Sequence, residues 1–343
     1  MKFTIYKLRF KSPLHIGDNH NDGGTSLRTI QSDTLYAALT HCLALAGEEL
    51  PDNGIFDFSI SSLFPFYCNG NALDKSKAEE VFFMPMPLQT KMPELPDPAL
   101  AKKIKKVKWV DSRIYGKILQ GETIFEENLK GLNKIYGEYL SDTKLQEDTG
   151  GSYEFIKSEM IQRASVPDRS GEGDALPFYM DRITFFSESG LFFLAVGDTT
   201  LLDFAMYLLS QEGIGSDRNV GMGCFEFEKG MIEIDFPDKS SYVTNLSLFI
   251  PENKSQLSRM LDSKEVAYDF MRRGGWISTD TTIRKNAIYG FLPGSVFHIP
   301  DDSPKGELIV LGKTVDLKPE VGDLSPDHPV WRCGKSIMLP IIP

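Results

Sequence analysis

The chain has 343 residues, which predicts two domains at about 150 residues each. Hydrophobic residues make up 41% and charged residues 25%, values that exclude a disordered, collagen-like or membrane-spanning polypeptide. The net charge of −11 argues on average against nucleic acid as a partner, but the distribution of charge reverses that inference. Cys42, Cys68, Cys224 and Cys333 form no C-x-x-C pair, and no His stands at zinc-ligand spacing beside them. They read as isolated thiols in a reducing compartment, and no metal or cofactor is expected. Lys7, Arg9 and Lys11 interrupt the first apolar run, so it is neither signal peptide nor anchor. The expected setting is cytoplasmic, with no membrane.

In chain order, residues 3–10 alternate, with Tyr6, Leu8 and Phe10 on one face and Lys7 and Arg9 on a basic outer face. A Pro13–Gly17 turn and a polar loop follow. A helix starts at Ser32 as N-cap, buries Leu35, Ala38, Leu39, Cys42 and Ala46, and stops at Gly47. Residues 55–68 and 81–90 read as two short strands. From about 88 to 180 the chain is charged, broken by Gly and Pro and weakly periodic, as an insertion would be. Two aromatic runs flanking Ser187–Gly190 predict a β-hairpin. A second helix begins with Thr200 and Asp203 as a capping box and buries Leu201, Phe204, Ala205, Leu208 and Leu209. A Gly-rich loop then leads into an alternating strand pair. The order is βαββαβ, that of a ferredoxin-like unit. After a break near Pro237–Ser241, strands at TNLSLFI, WISTD, NAIYGFL, SVFHI and SIMLPII and a helix at SQLSRMLD fit a second, degenerate unit. The expected fold class is α+β. It has two ferredoxin-like (RRM-like) domains, 1–236 and 241–343, the first carrying a thumb-like insertion at about 88–180.

Two patterns point to chemistry. Residues 213–223 contain Gly213, Gly215, Gly221 and Gly223 around Arg218. Glycines adopt positive φ and let a partner approach the backbone, and exposed N–H groups there can hold phosphate oxygens. A dinucleotide fingerprint is excluded because Arg218 stands where a third Gly is needed and the loop closes a helix rather than opening one. A P-loop in GELIVLGKT is excluded by spacing, since Gly306 and Gly312 are one residue too far apart. A single glycine would serve a plain turn, so four favour a functional loop. The second pattern is Lys102, Lys103, Lys105, Lys106 and Lys108, followed by Trp109, Arg113 and Lys117. Residues 99–117 hold seven basic residues against one acid, Asp111. It reads either as a solvated basic helix burying Ile104, Val107 and Trp109 or Val110, or as an RNA footprint with Trp109 and Tyr115 as stacking planes. Beside the Gly loop, the second reading is favoured. Arg163 and Arg169 flank a turn, Arg272 and Arg273 precede Gly274-Gly275-Trp276, and Arg284-Lys285 follows. Catalytic constellations are poor. His15 is placed for a general base in metal-free RNA cleavage, and His41 reads as an interior histidine.

These residues occur in an order that resembles the fourth subunit of the type III-A CRISPR interference complex, within the RAMP class. The resemblance rests on Leu14-His-Ile-Gly17, Ser32-Asp-Thr-Leu35, Lys105–Trp109, Arg163-Ala-Ser165, the Gly213–Gly223 loop, Arg273-Gly-Gly-Trp276, Gly294-Ser295 and Arg332-Cys-Gly334. It runs over nearly the whole chain. It implies a subunit that grips the repeat-derived 5′ handle of CRISPR RNA (crRNA) and inserts a thumb beside the first guide bases. It also implies docking on the large polymerase/cyclase-like subunit and on a backbone RAMP subunit, with no nuclease activity. RNA contact is thereby implied for the Gly loop, Lys105, Lys106, Lys108 and Arg163; Trp109, Arg218 and Arg273 complete the candidate RNA-binding set. The thumb is expected in the first part of the insertion. Ser216 and Asp217 depart from the family pattern, so Asp217 is expected to point away from phosphate or pair with Arg218.

The expected function is a non-catalytic RNA-binding subunit of an antiviral ribonucleoprotein, not a homo-oligomer. The alternatives are a RAMP endoribonuclease cutting repeat RNA with His15 as base, and a scaffold whose acidic surface docks other subunits.

Overall fold

The computed structural model describes residues 1–17, 24–69, 79–88, 90, 98–122, 134–145, 155–165, 176–186, 189–277, 283–299, 309–320, 322 and 326–343. Arg169, His20 and residues 278–282 lie outside that set. The fold is mixed α+β, with short helices set against extended sheet.

Strand β1 (Lys2–Phe10) alternates as expected, yet both of its faces are covered. Tyr6 and Leu8 enter one core, while Phe3 and Ile5 enter another. The expected basic outer face is absent. Lys7 is 7% exposed and its ammonium sits 2.8 Å from Glu80 and 3.1 Å from Glu228. Arg9 meets the same two carboxylates. A buried ammonium needs such partners, and the neighbouring strands supply them.

The main sheet also contains β2 (Phe58–Ile60), β3 (Phe64–Asn69), β4 (Glu79–Pro85), β5 (Trp109–Asp111), β6 (Lys134–Tyr136), β7 (Tyr139–Ser141), β10 (Gly190–Gly197) and β11 (Phe225–Glu233). Its order is β11-β1-β10-β3-β4-β5-β7-β6, with β2 also pairing β10. Pairing is antiparallel except between β5 and β7. β11 runs as one strand through Gly230, where two had been expected.

Two helices cover one face of this sheet: α1 (Ser32–Leu45) and α4 (Thr200–Glu212), through Leu35, Leu39, Leu202, Met206 and Leu209. Helix α1 ends as expected. Gly47 takes φ +80°, Glu48 N–H donates to Leu43 and Gly47 N–H to Ala44, closing a Schellman motif. Its start differs: Gln31 is the N-cap, and Ser32 Oγ accepts the Leu248 amide at 2.9 Å. At α4, Asp198 rather than a Thr200–Asp203 box receives the Thr200 amide, at 2.9 Å. Asp203 is engaged by Lys229 and the Tyr6 hydroxyl. The buried stripe is Leu202, Ala205, Met206 and Leu209, with Phe204 exposed, because α4 is apolar on adjoining faces and its pattern admits two phases.

The other face is covered by α3 (Ser112–Leu119), with α2 (Pro98–Ile104) preceding it, and by the C-terminal residues. Ile104, Val107, Val110, Ile114, Tyr115 and Leu119, expected within an appended insertion, lie in this second core together with Leu246, Val296, Ile337 and Leu339. The latter belong to or adjoin β12 (Tyr242–Asn245), β15 (Val296–His298), β16 (Ile309–Leu311) and β19 (Ser336–Pro340), a sheet ordered β15-β12-β19-β16. Helix α5 (Lys254–Met260) lies where SQLSRMLD predicted it. β13 (Phe270–Arg273) pairs with β14 (Ile288–Phe291), and β17 (Thr314–Asp316) with β18 (Trp331–Cys333).

The expected hairpin around Ser187–Gly190 does not form. The first aromatic run is β9 (Leu176–Phe185), which pairs over ten residues with β8 (Ile156–Ser165), while β10 inserts between β1 and β3. β9 meets β1 by ring stacking of Phe185 on Phe10, 5.0 Å between centroids, and the turn after β1 by a bridge from Ile183 to Leu14.

Candidate nucleic-acid interface

The loop 213–223 is built against residues 11–17. Its glycines serve that packing first. A Cβ on Gly223 would lie 1.9 Å from Ile214 O, and one on Gly215 would lie 2.5 Å from His15 O. The backbone is also spoken for. The amides of Gly213, Ile214, Ser216, Gly221 and Gly223 donate to Leu209, Gly223, His15, Arg218 and Pro13 carbonyls. The expected run of bare N–H groups is therefore largely consumed inside the fold; at Gly221, φ +83°, a Cβ would meet nothing.

Asp217 pairs with Arg163 of β8, not with Arg218. That ion pair ties the β8–β9 hairpin to the loop and leaves Arg218 without an acidic partner among the described residues. Asp181 adds a second tie: its carboxylate accepts the Ser26 amide at 3.1 Å and the Ser158 hydroxyl at 2.6 Å. Its carbonyl lies 2.7 Å from His15 Nδ1, and His15 is 4% exposed.

Arg218 opens onto a cavity of ≈ 340 Å³ whose wall includes Gly17, Gln31, Gly215, Arg273, Trp276, Lys285 and Arg332. Among the described residues no carboxylate lines it. Beneath it lies Asp33, in the first turn of α1 and fully buried. Arg273 grips Asp33 through Nε at 2.8 Å and Nη2 at 3.1 Å, and Arg332 Nη1 takes the same oxygen as Nε. Burial pushes the Asp33 carboxyl up, but the two guanidinium groups outweigh it and hold it below the ordinary carboxylate range. Burial first, and then the Arg332 and Arg273 charges against the pull of Asp33, push the Lys285 ammonium down to about 8. Arg273 was expected to touch RNA directly. It is 6% exposed, is committed to Asp33 and forms part of the cavity wall.

A second cavity of ≈ 380 Å³ adjoins the first and shares Gln31 with it; Lys108, Trp109, Met86 and Leu292 are among its lining. Lys105 and Lys106, past the end of α2, are exposed beyond either cavity. Lys108 is exposed and meets Glu138 at 2.8 Å. Trp109 was expected as a free stacking plane, but its ring lies against Phe64 at 6.0 Å and bridges the two cores. The side chains that sequence reasoning did not place in the site are Lys285, Arg332 and Trp276. They sit in short Arg/Gly/Trp motifs that were visible, but nothing in their spacing joins them to Arg218.

Set beside known proteins, this geometry finds a class. Residues 238–341 match the family model of the CRISPR Csm4 C-terminal domain. The CRISPR system Cms protein Csm4 of Thermococcus onnurineus (strain NA1) is 24% identical over 264 residues, 72% of this chain and 75% of the relative. Csm4 of Mycobacterium tuberculosis (strain CDC 1551 / Oshkosh) is 23% identical over 337 residues, 95% and 93% of the two chains. The solved Csm3–Csm4 subcomplex of the type III-A CRISPR-Cas interference complex shares the fold, with a TM-score of 0.59 at 17% identity over 100% of both chains. The Csm1–Csm4 cassette in complex with cA4 gives 0.55 at 19%, over 100% of this chain and 98% of that one. These findings support a type III Csm4 RAMP subunit. Residues 238–341 carry the Csm4 C-terminal domain, and the chain as a whole is similar to Csm4. Among the described residues no helix is long and apolar enough to cross a membrane, and no group of side chains could hold a metal ion.

Proposed function

We propose that the chain is the non-catalytic, RNA-binding subunit of a type III-A CRISPR ribonucleoprotein, holding the repeat-derived 5′ handle of crRNA. One observation carries this: Arg218, Lys285 and Arg332 converge on a cavity that no carboxylate lines among the described residues, in a protein of net charge −11. Phosphates would be met by these cations and by Lys105, Lys106 and Lys108 on the adjoining surface. A holding role fits His15 better than general base chemistry does, because its ring is buried and its Nδ1 is engaged by Asp181.

The solved relatives are Csm4 chains with Csm1 and with Csm3, which supports docking on a large polymerase/cyclase-like subunit and a backbone RAMP subunit. The finer architecture belongs to the same reading. Residues 1–236 would be a ferredoxin-like domain, supported by the sheet order β11-β1-β10-β3 with α1 and α4 after the first and third of its strands. Residues 241–343 would be the degenerate second unit. The thumb is assigned to the β8–β9 hairpin, since residues 104–119 are used by the core.

The test is filter binding of handle RNA to the full chain across a salt series. Binding should weaken steeply with salt, and changing Lys105, Lys106 and Lys108 to Glu should abolish it. Folding should survive, because an exposed bridge such as Lys108–Glu138 contributes at most about 1 kcal/mol. Unchanged affinity in the triple variant defeats the assignment.

A further inference from the structure

We propose that the cavity between the Gly loop and β13 is a subsite for one unpaired nucleotide, with its phosphate on Arg332, Arg218 and Lys285 and its base on Trp276. The inference rests on the RNA-binding reading and sharpens it to one nucleotide at one place.

Four observations converge. Among the described residues four cations line the cavity and no acid does, while Asp33 beneath offers one negative charge already shared by Arg273 and Arg332. An excess of buried positive charge is a standing demand for an anion. Arg332 is 6% exposed, and its Nε donates to nothing among the described residues. A buried guanidinium N–H left unpaired after Nη1 has met Asp33 and Nη2 the Gly274 carbonyl at 3.0 Å is positive charge that the fold has not answered. Trp276 supplies an aromatic plane that is 48% exposed, with the Arg284 guanidinium 4.5 Å from its ring centroid. Arg284 steadies the indole, and half its surface stays open to a base. The volume, ≈ 340 Å³, lies at the small end of ligand cavities, which suits a single nucleotide and excludes a duplex.

Lys285 makes the site sensitive to pH. Its surroundings are Asp33 and His41 from α1, Arg273 from β13, Arg332 from β18 and Arg218 from the loop. A further cavity on its far side also meets His41, Asp52 and His328. Depressed to about 8, the ammonium is charged at pH 7 and largely neutral at pH 9, and a bound phosphate would favour the charged form. Phosphate affinity should therefore be held below pH 8 and fall as pH rises through it, by about tenfold between pH 7 and 9. The second proton of the nucleotide's phosphate monoester, with pKa about 6, is already gone over this range, so the pH profile is read on the nucleotide.

The experiment titrates the full chain with uridine 5′-monophosphate, uridine and inorganic phosphate, read by tryptophan fluorescence and calorimetry, with handle RNA measured in parallel. The nucleotide should bind more tightly than phosphate or nucleoside and quench fluorescence. Trp276→Ala should remove the quench and bring the nucleotide down to the affinity of phosphate. Lys285→Met should weaken both phosphate-bearing ligands, and Lys285→Arg should keep binding while losing the fall at alkaline pH. Equal affinity for nucleotide and phosphate overturns the inference, as does no saturable binding at millimolar nucleotide or a quench that persists in Trp276→Ala. If handle RNA binds while these variants leave its affinity unchanged, the subsite falls and the RNA-binding reading stands. If the nucleotide binds as described and handle RNA does not, the subsite stands and the reading of the whole chain falls.

Discussion

Replacing Asp33 with Asn isolates what the cavity floor does. Asp33 has no exposed surface, and the side chains of Arg273 and Arg332 are each 7% exposed. The substitution keeps the shape and leaves two buried guanidinium groups facing a neutral amide and each other. Breaking a buried pair by removing one partner costs about 3–5 kcal/mol, and here one carboxylate serves two cations, so the upper part of that range is expected. Against a total stability of about 5–15 kcal/mol, that is a large shift in a urea midpoint followed by tryptophan fluorescence. The pH dependence is fixed in sign. The folded pKa of Asp33 is depressed, so its contribution is present above the ordinary carboxylate pKa and is lost only as pH falls through the folded value. The deficit of the Asn variant should thus be constant from about pH 5 to 6, below the range in which Lys285 titrates. Loss of Asp33 also removes the group that holds the Lys285 pKa up, so phosphate binding at pH 7 should weaken in the same protein. Changing the triad together, Asp33→Leu with Arg273→Met and Arg332→Met, should recover most of the lost stability, because the cost lies in the uncompensated charge. A loss below about 1 kcal/mol in Asp33→Asn, or no recovery in the triple variant, would refute the reasoning.

Two further outcomes follow from local geometry. Gly223→Ala drives a Cβ to within 1.9 Å of the Ile214 carbonyl at φ +71°, whereas Gly221→Ala meets no atom and bears only the strain of φ +83°. The first should prevent assembly of the loop on residues 11–17, seen as lost amide-exchange protection there. The second should cost about 1 kcal/mol in thermal unfolding, and equal effects would contradict the packing account. Asp111, buried at the N-cap of α3, is pushed up to about 6 by burial, with Asp142 adding and the Arg113 amide and Ser141 hydroxyl opposing. A folded pKa above the unfolded one stabilises at low pH and is lost as pH rises toward 6, by up to about 3 kcal/mol. Asp111→Asn, which retains a cap acceptor, should be more stable than the parent at pH 7 and indistinguishable near pH 4; parallel pH profiles would disprove it.

Where local rules decide, the sequence was legible. β1, α1, α4 and α5 lie where periodicity and the Gly47 stop put them, although the N-caps of α1 and α4 differ. Where a choice depends on distant partners, it was not. The aromatic runs at 176–185 and 190–197 look like a hairpin because a turn signal lies between them. Yet β10 has β1 and β3 on its two sides, and β9 finds ten residues of partner in β8. The phase of α4 was misread for a related reason: Leu201, Phe204 and Leu208 form as good a stripe as Leu202, Met206 and Leu209, and only the α1 packing chooses. In the site, Arg218 and the four glycines were visible, but most of those glycines prove to be needed by the turn itself.

The net charge misled because it sums cations that are already answered with cations that are not. Lys7, Arg9, Lys11, Arg113, Arg163, Arg182 and Lys229 each stand within 4.0 Å of a carboxylate supplied by a neighbouring strand, loop or helix. Excess acid elsewhere is spent on such pairs or on open surface. Arg218 and Lys285 have no such partner among the described residues, and Arg332 shares a single one with Arg273. A ligand anion entering this cavity meets charge that the protein has not itself neutralised, at a dielectric lower than that of water. That local imbalance is assembled from residues 33, 218, 273, 285 and 332, which only the folded chain brings within reach of one phosphate.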